Sequence, residues 1–289
     1  MTFPAQTGGG ASAPAHTSPA PHSSSSKHTS HKPASTHTTQ SRLAIKSKIA
    51  LVVDAKTSEE LIAKNVDLVV PIASISKLMT AMVVLDAKPP MDEKLKISDE
   101  DRDTVMGTHS RLHIGWILTR EDMLHVALMS SENRAAAALS RYYPGGRPAF
   151  IEAMNAKAEA LGMTRTHFVN PNGLTNENVS TARDLVKLVR AADQYDLIRQ
   201  FTTDPWYDLP IGRYVVPYVN SNRLVGREGW DIDVQKTGFT NEAGDCVVMQ
   251  LRADGRTLIM VFLDAIGKLT RFADARRALL QMEQEEKKK

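Results

Sequence analysis

Ser74 and Lys77 stand three residues apart in Pro71-Ile72-Ala73-Ser74-Ile75-Ser76-Lys77-Leu78-Met79. Upstream lies apolar, β-branched sequence, Ile49 to Val53 and Leu68 to Val70; downstream, Leu78, Met79, Met82, Val83 and Leu85 recur at helical spacing. The stretch therefore reads as the entry to a buried helix, with Ser74 in its first turn. Lys77 then shares a helix face with Ser74, about 5–6 Å away at Cβ. A neutral amine in that place can take the hydroxyl proton and make the oxygen a nucleophile. The unpaired N–H groups of the helix start can meet a developing negative charge. An isolated Ser-x-x-Lys reads more simply as a capping Ser and a solvated Lys, so the remaining sequence decides.

Two further short motifs carry chemistry. Ser131-Glu132-Asn133 interrupts the apolar pattern between two helical segments, and a loop there can project a hydroxyl and an amide into a cleft. Lys236-Thr237-Gly238 falls in a strand segment. Strand alternation points Lys236 and Gly238 to one face and Thr237 to the other, unless the strand is twisted or bulged. Gly238 would let a substrate backbone lie close against the strand edge. Singly, the first also reads as a helix cap and the second as an edge-strand charge before a bulge. Their order gives them weight: helix start, inter-helix loop, strand.

The elements that must position these residues follow from pattern. Ile45 to Val53 and Leu61 to Val69 predict an antiparallel hairpin around the Asp54–Ser58 turn. The Ser74 helix runs to about Leu85 and stops before Lys88-Pro89-Pro90. Leu95 to Ile97 is short and extended, and Ser98 to Asp103 reads as a helical turn. Helices are predicted from Thr119 to Met129 with a capping-box-like start, from Ala135 to Tyr142, from Pro148 to Leu161, and from Thr181 to Ala192. Asn170-Pro171-Asn172-Gly173 is a tight turn. Residues 201–230, with Pro205, Pro210 and Pro217, read as loop. Three strands (Val234 to Thr240, Cys246 to Arg252, Leu258 to Leu263) and a helix from Thr270 to Gln281 close the chain. The fold class expected is α/β (α+β): one antiparallel sheet from both chain ends, terminal helices on one of its faces, and an all-helical subdomain, about 98–195, inserted between.

Composition bounds the rest. Of the 289 residues, 1–42 are nearly all Ser, Thr, Pro, Ala, Gly and His, with too few apolar side chains to fold, and are expected to be disordered. His16, His22, His28, His31 and His37 fall there; their irregular spacing reads as a hydrophilic spacer rather than a metal site. Residues 43–282 form the expected folded domain, and 283–289 a charged tail. A net charge of +3, with acids and bases interspersed, carries no nucleic-acid signature. No ligand cluster has zinc spacing, so no metal and no cofactor is expected. Cys246 is the only cysteine, which excludes an intrachain disulfide and reads as a small buried apolar residue. No apolar run reaches the roughly 18 residues of a membrane span, and the polar end of the chain cannot serve as a membrane anchor. Met1-Thr2-Phe3-Pro4 is not followed by a signal-peptide core, so the sequence either begins after an export segment or is cytoplasmic.

The triplet S-x-x-K, S-x-N and K-T-G is the set carried by serine β-lactamases and penicillin-binding proteins, with Glu132 here in place of the usual Asp. Pro71 to Ala81, Asn170 to Leu174, Val179 to Leu185 and Lys236 to Gly244 resemble the low-molecular-mass penicillin-binding DD-peptidases, over about residues 45–280. The resemblance is nearest to their D-alanyl-D-alanine endopeptidase branch. It implies the DD-peptidase/β-lactamase-like fold and a periplasmic enzyme that cuts peptidoglycan stem peptides through an acyl-enzyme, with β-lactam antibiotics as covalent inhibitors. Ser74 would be the nucleophile, Lys77 the base and Ser131 a proton relay. Asn133, Lys236, Thr237 and Gly238 would bind substrate, and the N–H groups of Ser74 and Phe239 would form the oxyanion hole. Lys77 needs a lowered pKa, from burial or from a second cation such as Lys236. The other readings are a carboxypeptidase, a serine β-lactamase with Glu177 as water activator, and a non-catalytic wall-binding module. Many carboxypeptidases of the family carry an extra C-terminal domain and an anchor, for which no room follows the closing helix; that favours the endopeptidase. The export segment is then expected upstream of Met1 or trimmed.

Overall fold

The computed structural model describes residues 44–287; the Ser/Thr-rich stretch with its five histidines and the last two lysines lie outside them. In chain order, β1 (Ile49–Asp54) and β2 (Glu60–Lys64) form a hairpin, followed by β3 (Val70–Pro71), a 3₁₀ turn (Ala73–Ile75) and α1 (Ser76–Asp86). Next come β4 (Lys94–Lys96), β5 (Ile117–Thr119), α2 (Arg120–Met129), α3 (Asn133–Arg141) and α4 (Gly146–Ala160). Then follow β6 (Val179–Ser180), α5 (Ala182–Ala192), α6 (Asp196–Thr203), β7 (Trp206–Ile211) and β8 (Tyr214–Val219). The chain ends with β9 (Asp231–Thr240), β10 (Gly244–Ala253), β11 (Arg256–Ala265) and α7 (Thr270–Glu286).

The chain's two ends meet in one antiparallel five-stranded sheet of order β2-β1-β11-β10-β9. All six residues of β1 are buried, which is why Ile49 to Val53 is a continuous apolar run rather than an alternation. Ile49, Leu51 and Val53 enter one core; Ala50 and Val52 enter the other. Phe272, Ala275 and Ala278 of α7 cover the second face. Leu185, Leu188 and Val189 of α5 share the larger core with α1. α1 is buried from Ser76 to Val84 on every side, and a helix apolar all round belongs inside a domain. The element bearing Lys77 is thus held by the whole core.

α2 starts at a Thr119–Asp122 capping box, and the Thr181 side chain accepts the Asp184 N–H at the start of α5. Three expectations are corrected. The second hairpin strand, expected to reach Val69, ends at Lys64, and Val70–Pro71 pairs instead with Val179–Ser180, bringing the 170–180 segment beside the start of α1. The stretch read as loop over 201–230 contains the end of α6 and the β7–β8 hairpin. Its pattern is obscured because Trp206, Val215 and Val219 point outward, while Pro210 and Pro217 sit in a ribbon whose edges are free. Among the described residues the one helix on the sheet face expected to carry terminal helices is α7, joined there by Leu224 and Trp230, since the described N-terminal end enters as strand β1.

Candidate active site

Ser74 lies in the 3₁₀ turn that leads into α1, 8% exposed. Neither this turn nor α1 has a side-chain N-cap bond, so the Ser74 hydroxyl is not a cap. It accepts a hydrogen bond from Lys77 Nζ at 2.7 Å and lies 3.3 Å from the Asn172 carbonyl, to which it donates. Lys77 Nζ also donates to Asn133 Oδ1 at 2.8 Å and to Asn172 O at 2.7 Å. With three acceptors and 1% exposure, the amine is fixed in place. Burial lowers its pKa to about 7, against which the Glu132 carboxylate acts in the raising direction. The three donations are those of the ammonium form; a neutral amine keeps two, enough for Asn133 and Asn172, and leaves a lone pair that can accept the Ser74 proton. Burial does the work the sequence reading had offered to Lys236.

Three segments converge on this pair. The α2–α3 corner supplies Ser131 to Asn133. Asn133 Nδ2 donates to Thr108 Oγ1 at 3.1 Å, which sets the amide so that Oδ1 faces Lys77. Ser131 has φ +65° and lines a polar cavity of about 160 Å³ with Ser130, Glu132, Asn133 and Tyr218. No direct hydrogen bond joins it to Ser74 or Lys77 among the described residues.

The second segment is the Asn170–Gly173 turn. The Asn178 side chain ties it down, donating to Ser76 Oγ and Asn170 O and accepting from the Val169 and Asn170 N–H groups. Gly173, at φ +81°, is pressed so closely against the Ser74 turn that a Cβ would sit 2.0 Å from Ala73 O and 2.8 Å from Ser74 N. Ala73 itself has φ +47°, a left-handed conformation unusual for a non-glycine residue and typical of positions that a site over-determines. Glu177 is exposed beyond this turn. What the segment sets beside Ser74 is a main-chain carbonyl, not a carboxylate.

The third is the edge strand β9. A Cβ on Gly238 would meet Ile72 O at 2.9 Å and Ser74 N at 3.2 Å. The absence of a side chain at Gly238 makes room for the turn that carries Ser74. Lys236 is fully buried, donates to Thr237 O at 2.9 Å, and is driven well below its usual pKa by burial and by the charges of Lys77 and Arg271. Thr237 Oγ1 lies 2.7 Å from Ser221 Oγ. Arg271 of α7 donates to Gly238 O at 3.0 Å and pairs with buried Asp245. Phe239 is exposed at the strand edge.

Ser74, Lys77 and Asn133 thus form one bonded cluster, Gly238 abuts it, and Lys236 reaches it through charge. The sequence reading missed Asn172, Gly173, Thr108, Ser221 and Arg271. The Asn-Pro-Asn-Gly turn was visible, but its contribution is a carbonyl and a missing side chain, neither of which residue type announces. Among the described residues no group of His, Cys, Asp or Glu could hold a metal ion. Larger grooves lie elsewhere, such as one of about 630 Å³ between β5 and the β7–β8 tip, without comparable chemistry.

A family model described as D-alanyl-D-alanine carboxypeptidase matches residues 35–267. The chain is 52% identical over 235 residues to a D-alanyl-D-alanine endopeptidase of Escherichia coli strain K12, covering 81% of this chain and 76% of that protein. It is 51% identical over the same shares to one of Pseudomonas aeruginosa. Among solved structures, a penicillin-binding protein of Listeria monocytogenes in its ampicillin-bound form superposes with TM-score 0.73 and 31% identity, over 83% of this chain and 98% of that one.

Proposed function

Because the chain belongs to the D-alanyl-D-alanine carboxypeptidase family, we propose that it is a serine DD-peptidase that opens D-alanyl peptide bonds of peptidoglycan stem peptides through an acyl-enzyme. The observation that carries this reading is the desolvated Lys77 amine 2.7 Å from Ser74 Oγ.

Ser74 is the nucleophile and Lys77 the base. Neutral Lys77 takes the hydroxyl proton as Oγ bonds to the carbonyl carbon of the D-alanyl residue. The carbonyl oxygen takes the negative charge, facing the N–H groups of Ser74 and Phe239. The close approach of Gly238 to the Ser74 amide supports this pairing of donors. One such donor contributes roughly 10²–10³ in rate. The C–N bond then breaks, and the proton held by Lys77 passes through Ser131 to the leaving amine. Water hydrolyses the remaining ester. Asn133 holds Lys77 and meets the substrate amide, while Lys236 and Thr237 hold the substrate carboxylate against β9, with Gly238 completing that wall. A β-lactam enters the same acyl-enzyme through its strained amide.

Within the family, the two 51–52% identities to endopeptidases favour cleavage of cross-links over release of terminal D-alanine. The exposed Glu177 and the carbonyl beside Ser74 favour a peptidase over a β-lactamase, which needs a well-placed water activator. The substrate lies outside the cytoplasm, so we place the enzyme in the periplasm. No helix of the described residues is long and apolar enough to cross a membrane. Residues 43–282 are taken as the catalytic domain, with the helices of 98–195 as its insert.

The test has two parts. Incubation with penicillin is expected to give a long-lived mass adduct on Ser74, absent in Ser74→Ala; turnover within seconds would mean a β-lactamase, and no adduct a non-catalytic module. Mass analysis of treated muropeptides is expected to show cross-linked dimers becoming monomers. Loss of D-alanine from monomers alone would assign the carboxypeptidase instead.

A further inference from the structure

Glu132 stands at the middle of the Ser131–Asn133 motif, where the reaction described above gives it no part. Its side chain is nevertheless the junction of three walls of the cleft. Oε1 accepts from Ser110 Oγ at 2.5 Å and from the Arg134 N–H at 3.2 Å; Oε2 faces Tyr218 OH at 3.4 Å. The first bond holds the 103–113 loop, whose Thr108 sets the Asn133 amide. The second caps α3. The third reaches β8, where the Arg111 guanidinium lies over the Tyr218 ring at 3.7 Å and donates to Pro217 O. Glu132 is 7% exposed, and a carboxylate so buried is kept only where hydrogen bonds and opposite charge balance it.

Ser110 Oγ and the Arg134 N–H supply hydrogen bonds toward that balance. Of the groups facing Lys77, Asn133 Oδ1 and Asn172 O accept its protons. Lys236 of β9, fully buried, is itself lowered by burial and by the charges of Lys77 and of Arg271 on α7. Among the described residues, Glu132 is the carboxylate whose charge acts on Lys77, and it opposes the effect of burial. A longer side chain than Asp at this position spans from the helix cap to both Ser110 and Tyr218.

We propose that Glu132 is a positioning residue of the active site: it pins the Ser110 loop and Tyr218 against the Ser131–Asn133 corner and presents its carboxylate to the enclosure that holds Lys77. This rests on Lys77 being the base. Acylation is driven by the neutral amine, but an amine made too acidic is a poor proton acceptor. Glu132 holds Lys77 between those limits.

The test follows acylation by a fluorescent penicillin across pH, with thermal melting to confirm folding, in the wild type, Glu132→Gln and Glu132→Asp. Gln keeps an acceptor for Ser110 and removes the charge. The acidic limb of the acylation profile is expected to move down by about 0.5–1 pH unit in Glu132→Gln, with a lower plateau. Glu132→Asp, which keeps the charge, is expected to bring the limb back toward the wild type. Ser110→Ala and Tyr218→Phe, which loosen the clamp and keep the charge, are expected to raise KM for cross-linked substrate without moving the limb. A folded Glu132→Gln with the wild-type limb and plateau overturns the proposal while leaving Lys77 as base. A wild type with no limb near neutral pH overturns both.

Discussion

Replacing Gly173 by Ala tests whether the Asn170–Gly173 turn is part of the active site or only a nearby connection. The added methyl meets backbone: 2.0 Å from Ala73 O, 2.3 Å from Ala73 C and 2.8 Å from Ser74 N. No flexible side chain can yield there. Holding φ at +81° also carries roughly 1–2 kcal/mol of left-handed strain for a residue with a Cβ, and overpacking adds about 1–3 kcal/mol. Together the loss is about 2–5 kcal/mol, or about 5–15 °C in Tm for a domain of this size. The chain relieves the clash by moving the turn, and Asn172 O moves with it, away from Lys77 Nζ and Ser74 Oγ. A displacement of about 1 Å in such a site lowers rate by about 10². Gly162→Ala is the control: its φ is +69° and nothing lies within 4 Å of the added carbon, so it pays the strain without the clash. Melting curves and acylation rates by labelled penicillin read both effects. Gly162→Ala is expected to lose about 1 kcal/mol and acylate normally. A Gly173→Ala protein that acylates at the wild-type rate would refute the assignment of the turn to the site.

Further outcomes are expected at Lys77, Arg271 and Cys246. Acylation rises with pH through about 7 as Lys77 loses its proton, and Lys77→Arg, which stays charged, abolishes it. The folded value lies below the 10.5 of the free side chain, so the unfolded chain binds more protons between pH 7 and 10.5 and stability rises across that window. Lys77→Met is therefore expected to be inactive yet about 1–4 kcal/mol more stable at pH 7, a gain that fades toward pH 10 and is read by denaturant unfolding. Arg271→Met leaves the buried Asp245 carboxylate alone and is expected to destabilise by about 3–5 kcal/mol; adding Asp245→Asn is expected to recover much of this in melting experiments. Burial pushes the Cys246 thiol up to about 12, so thiol reagents are expected to leave it unmodified in the native protein and to label it once denatured; rapid native labelling would contradict its place in β10.

The fold was legible where local pattern and global burial agree. The fully buried β1, the meander β9–β11 and the capped helices α2 and α5 carry their signals in contiguous residues. It was illegible over 201–230, because a two-stranded ribbon with an outward apolar face and prolines on its edges reads as punctuation. The second partner of Val70–Pro71 was hidden for a different reason: it lies more than a hundred residues along the chain, and two-residue strands have no periodicity to read.

By itself the sequence determined the side-chain chemistry. A Ser and a Lys three residues apart at a helix start must share a face, an Asn two residues after a Ser in a helix break must stand near it, and a resemblance across three motifs bound them to one reaction. Only the tertiary structure decided the rest. It decided that Lys77 is buried among three acceptors with its pKa lowered by that burial, that Glu132 acts against the lowering, and that Asn172 offers its carbonyl. It also decided that Gly173 and Gly238 are small because the Ser74 turn fills the space where their side chains would be. The physical reason is that pKa and close packing belong to the whole enclosure around a group. A backbone carbonyl is present at every residue, and only folding selects the one that faces the site.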